Sequence, residues 1–133
     1  MLHQLKTVLH QLKTNSLYVI ISLIIFGKGL GFYLNRTFFF YPPNFAWLMN
    51  NVYLDFLMML MGLILLWYVC SRVNNNRLLG IILGVIVALF TGITCIEVEH
   101  VIFAHQMEFV QNAASNMGII AFIMWTARHY SKR

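Results

Sequence analysis

Glu97 and His100 stand three residues apart, and so do His105 and Glu108, in the stretch Glu97-Val98-Glu99-His100-Val101-Ile102-Phe103-Ala104-His105-Gln106-Met107-Glu108. A Glu-x-x-His step places both side chains on one helix face, as in carboxylate-bridged di-metal sites. Those sites use two such motifs and further glutamates, and this chain supplies one. Oxygen and imidazole ligands suit zinc or a similar ion. Glu97, His100, His105 and Glu108 are therefore the candidate metal ligands. The plainer expectation is a wetted, acidic turn, and an intermediate one has Glu97 or His100 capping a polar chamber. Asp55, Glu97, Glu99 and Glu108 are the only carboxylate side chains. The sequence has no Ser-His-Asp set, phosphate loop or nucleotide fingerprint. No catalytic residue is assigned, no cofactor is expected, and the chain does not read as an enzyme.

The remaining polar candidates lie inside apolar runs. They are Lys28, Asp55, Asn112 and Asn116, which with Glu97 make up an intramembrane polar cluster. A charge at the centre of a bilayer costs roughly 2.5–3.5 kcal/mol on insertion scales, so each such group needs a partner. Lys28 is long enough to reach outward toward Asp55, and an ion pair between the first and second spans is predicted. Gln111 and Ser115 share one helix face, as do Asn112 and Asn116.

Those apolar runs define the architecture. Of the 133 residues, 60% are hydrophobic and 10% charged, against about 45–50% and about 25% in a soluble domain. Lipid must be the solvent for most of the chain. A spanning helix needs about 20 apolar residues, and four segments qualify: 17–34, 52–70, 78–96 and 109–127. None shows the alternation of a membrane barrel strand. The expected fold is an all-α membrane protein. Residues 1–16 form a short amphipathic helix, 17–127 a four-helix transmembrane domain, and 128–133 a basic tail.

Lys6, Lys13, Arg72, Arg77, Arg128, Lys132 and Arg133 all fall on one side of this topology, and only Arg36 on the other. The positive-inside rule then puts both termini in the cytoplasm of a cell membrane. The net charge of +5 reads as a topology signal and a contact with anionic headgroups, not as a nucleic-acid interface. Residues 1–16 lack the apolar core and cleavage site of a signal peptide. Cys70 and Cys95 fall at opposite faces of the bilayer and cannot pair. A four-helix membrane thiol oxidoreductase is thereby excluded.

Residues 2–7 and 9–14 are the same hexapeptide, LHQLKT. Two heptads are short for a coiled coil, so an amphipathic helix on the cytoplasmic leaflet is the favoured reading. In the first outer loop, Phe38, Phe39, Phe40, Tyr41, Phe45 and Trp47 surround Pro42-Pro43. This is an interfacial aromatic belt or, over 38–47, a docking surface for a partner protein. Asn35-Arg36-Thr37 fits a glycosylation sequon but lies against the membrane.

Small residues let helices approach closely in lipid. Gly80, Gly84, Ala88 and Gly92 form a stripe down the third span. Gly27 and Gly31 repeat the spacing in the first, and Ala114 and Gly118 in the fourth. They predict helix contacts within the chain or between subunits, and so a homo-oligomer.

Two stretches, Tyr41-Pro42-Pro43-Asn44-Phe45-Ala46-Trp47-Leu48-Met49-Asn50-Asn51 and Ile96-Glu97-Val98-Glu99-His100-Val101-Ile102-Phe103-Ala104, resemble small membrane proteins of phages and prophages of lactic-acid bacteria. The resemblance implies a cell-membrane location and a holin-like or lysis-accessory role. Two further function classes stay open. One is a small ion or solute transporter or channel using a polar outer half; it resembles small multidrug transporters in size only. The other is an accessory or immunity-type binding protein.

Overall fold

The computed structural model describes residues 1–35, 43–71 and 73–130. All its regular elements there are helices: α1 (Leu2–Thr14), α2 (Ser16–Leu34), α3 (Pro43–Met49), α4 (Val52–Cys70), α5 (Asn76–Phe103) and α6 (Glu108–His129). Three of them, α2, α4 and α5, are long and apolar enough to cross a membrane. The fourth predicted span corresponds to α6. It has the length, at 22 residues, but its first half carries Gln111, Asn112, Ser115 and Asn116. The aromatic loop residues Phe38–Tyr41, the sequon residues Arg36 and Thr37, and the basic residues Arg72, Lys132 and Arg133 lie outside the described residues.

The helices form two antiparallel pairs. α2 packs along α4, and α5 along α6, with a smaller contact between α4 and α5 and little between α2 and α6. The buried positions show why. In α2 they are Tyr18, Ile21, Ser22, Ile25, Gly29 and Phe32; in α4 they are Asp55, Met58, Met61, Gly62, Leu65, Tyr68 and Val69. Steps of three and four residues keep one face inward on each helix. The opposite faces, where Leu23, Leu30, Phe56, Leu60, Leu63 and Trp67 are exposed, are apolar as well.

Two glycines set the α2–α4 spacing. A Cβ on Gly62 would lie 2.7 Å from the Ser22 carbonyl oxygen, and one on Gly29 would lie 2.8 Å from that of Asp55. Only a hydrogen fits at either point, so the backbones come together without intervening side chains. The four-residue spacing in the sequence points instead to Gly27 and Gly31. Both face outward, with nothing within 4 Å of an added Cβ.

The connections carry their own caps. Asn51 Oδ1 accepts from the Tyr53 amide at 3.0 Å, and Asn75 Oδ1 from the Arg77 and Leu78 amides at 3.0 and 3.2 Å. Each bond satisfies an amide that the first helical turn leaves free. The Tyr68 hydroxyl donates to the Asn75 carbonyl and accepts from the Asn75 amide, both at 2.9 Å. This clasp fixes the short α4–α5 turn. Between α5 and α6 the chain reverses at His105, whose φ is 53°. That turn lets the Gln106 amide return to the His100 carbonyl at 3.2 Å.

Candidate functional site

The third predicted span ends at Ile96, but the helix continues unbroken to Phe103. Glu97 and His100 therefore belong to α5 and to its inward face. They extend the row Ile86, Phe90, Ile93 and Thr94 by the same steps of three and four. Both are fully buried. The wetted acidic turn expected for this stretch is thus confined to its end, where His105 and Glu108 are exposed.

Opposite them, α6 turns Phe109, Ala113 and Asn116 inward. Asn116 Nδ2 donates to Glu97 Oε2 at 2.7 Å, and both residues are 0% exposed. One turn further along α5, His100 Nδ1 donates to the Ile96 carbonyl at 2.8 Å. Its ring lies against Phe109 with centroids 4.5 Å apart. Two oxygens of the Glu97–Asn116 pair, Oε1 and Oδ1, are buried and accept no hydrogen bond among the described residues. Buried acceptors without donors are uncommon in native proteins, and each calls for an account.

From α2, Lys28 is half-buried and lines a groove of about 420 Å³ with Ile24, Gly27, Gly31, Phe32, Asn35 and Asn112. The groove follows from the weak α2–α6 contact. The Lys28 ammonium acts on Glu97 as a favourable opposite charge. Four of the five predicted cluster residues, Lys28, Glu97, Asn112 and Asn116, are thus brought to the region shared by α2, α5 and α6.

Asp55 is not brought there. It is buried on the α2–α4 seam, where its backbone abuts Gly29. Lys28 is one residue from Gly29, about 100° around the helix, and so looks elsewhere. The predicted Lys28–Asp55 ion pair is not found among the described residues. Nor do Glu97, His100, His105 and Glu108 converge as a metal site. Two are buried and two exposed, and the described residues hold no group of three or more His, Cys, Asp or Glu placed to share an ion.

The small-residue stripe lies on the opposite side of α5 from Glu97. Gly80, Gly84, Ala88 and Gly92 are all turned away from the core, and an added Cβ on any of the three glycines would meet nothing within 4 Å. Ala114 and Gly118 of α6 are exposed as well. Among the described residues, no other helix packs against an added Cβ on these glycines.

A second polar region lies at the far end of the bundle. Tyr18, Ser22, Tyr68 and Thr126 are buried there. The Tyr18 hydroxyl donates to the Tyr130 carbonyl, tying the start of α2 to the end of α6. The signal available in the sequence is the helical spacing from Tyr18 to Ile21 and Ile25, and from Leu65 to Tyr68.

The fold and composition together define a small helical membrane protein. No protein-family model, curated protein or solved structure matches the chain.

Proposed function

We propose that the chain crosses a cell membrane four times with both termini in the cytoplasm, and acts as an assembly of its own copies. Its role would be that of a holin-like or lysis-accessory protein. The observation that carries this reading is the outward Gly80-Gly84-Ala88-Gly92 face. A small-residue face against lipid is poor packing, because each glycine forgoes dispersion contacts a larger residue would make. Against a second helix the same face allows close approach. Counting α6 as a span rests on its inward polar residue, since Asn116 is buried and its Nδ2 donates to Glu97 inside the bundle.

Cys95 is exposed one turn beyond Gly92 on the same face and serves as a probe. In a Cys70→Ser background, mild oxidation in membranes should give a Cys95-linked dimer, and Gly84→Ile should reduce it several-fold. Inducible expression in a bacterium, followed by culture density and membrane potential, tests the role. Abrupt timed lysis that Gly84→Ile abolishes is expected. Wild-type protein that stays monomeric in membranes would overturn the assembly.

A second reading is a small ion or solute conduit. It is favoured by the groove where Lys28 and Asn112 meet beside the Glu97–Asn116 pair. Substrate-dependent currents without lysis would favour it.

A further inference from the structure

The two bare oxygens of the buried pair belong to one problem. Asn116 Nδ2 already donates to Glu97 Oε2. What remains is Oε1 on the acid and Oδ1 on the amide, both buried and both acceptors. An ionised carboxylate has no hydrogen to offer, so the pair as an anion leaves both oxygens unserved. A single hydrogen on Glu97 Oε1, donated to Asn116 Oδ1, serves both.

We infer that Glu97 and Asn116 form a reciprocal acid–amide pair whose ligand is a proton. The step balances simply. The carboxylate takes a proton from hydronium, releases water, and gains an O–H that donates to Asn116. The reverse step returns the proton to water and leaves an anion with two unpaired acceptors.

The surroundings fit both states. Lys28 from α2 acts on Glu97 as an opposite charge when the proton leaves, and it lines a groove with Asn112, one turn before Asn116 on α6. His100 lies one turn along α5, with Nδ1 committed to the Ile96 carbonyl. The ionisable residues of α6 (Glu108, Arg128 and His129) lie at its two ends, and α4 holds Asp55 at the seam with α2. This site goes beyond the assembly reading, and a single copy would contain it.

Infrared spectroscopy of the full chain in lipid nanodiscs at neutral pH tests it. The expected result is a carboxylic-acid carbonyl band that Glu97→Gln removes and Asn116→Ala shifts to higher frequency. Only four side-chain carboxyl groups contribute, so the assignment is tractable. Absence of an acid band that depends on Glu97 would overturn the inference. So would a carboxylate band that moves on adding sodium chloride, since that marks a cation between the two oxygens. Glu97→Gln also controls for folding. Its Nε2–H can replace the acid hydrogen, so it should unfold at the same denaturant concentration as the parent or higher. A fall as large as that of Glu97→Ala would overturn the pair.

Discussion

The two helix pairs solve the same packing problem by opposite means. α2 and α4 meet backbone to backbone at Gly29 and Gly62, through contacts that no side chain could enter. α5 and α6 meet partly through a buried hydrogen bond, with Glu97, His100 and Asn116 set into an otherwise apolar face. The first seam gains from dispersion and closeness. The second accepts polar groups that must be satisfied locally, because hydrocarbon offers them nothing. The first seam also buries a carboxyl group, that of Asp55, beside its glycine contact, whereas at the second the Glu97–Asn116 hydrogen bond itself joins the helices.

The contrast can be attacked at its tightest point first. Gly62→Leu drives a branched side chain into the Ser22 carbonyl and the Phe26 Cβ, the latter 2.9 Å from an added Cβ. A loss of about 3 kcal/mol is expected in reversible detergent unfolding. A loss under a third of that would mean the α2–α4 backbones are not in contact. Asn116→Ala probes the other seam by removing the donor to Glu97. It should cost about 1–3 kcal/mol by the same assay, the range for stranding a buried acceptor.

Smaller effects lie where neither seam is touched. Asn75→Ala removes the cap on α5 and should lower stability by about 1 kcal/mol. His105→Gly should raise it by about 0.5–1 kcal/mol, because glycine takes the left-handed turn without a Cβ clash. Thermal unfolding resolves both. Gly80→Ala meets nothing among the described residues and should change monomer stability by no more than about 0.5 kcal/mol. A large loss there would show that the outward glycines are already covered by a partner.

Much of the α5–α6 seam is legible in the sequence. The steps Phe90, Ile93, Glu97, His100 and Phe109, Ala113, Asn116 put the polar residues on the core faces by spacing alone. Glu97 and Asn116 share the expected polar cluster because both interrupt apolar runs. The meeting of Lys28 with α6 rather than α4 is not legible. It depends on which helix lies on which side of α2, and residue spacing along one span does not fix that. The glycine contacts mislead for the same cause. Spacing identifies a small-residue face but not what lies opposite it, so it selects Gly27 and Gly31 where the contact is made by Gly29. Falling hydropathy assigns Glu97 to a turn, although the backbone stays helical as long as a neighbouring helix satisfies the polar side chains.

The length of α5 has a consequence for the surrounding lipid. Its exposed apolar residues run from Leu78 to Phe103, a rise of about 38 Å at the helical pitch. On α4 the exposed row from Tyr53 to Trp67 rises about 21 Å. The hydrocarbon layer is about 30 Å thick, so the molecule is too tall on one flank and too short on the other. Such a mismatch is met by helix tilt, by stretched lipid beside α5 or by thinned lipid beside α4, at a cost that grows with each ångström. Bringing two copies together α5 to α5 removes the stretched lipid from between them. A thin bilayer should therefore hold such pairs more tightly than a thick one, whatever the glycines contribute.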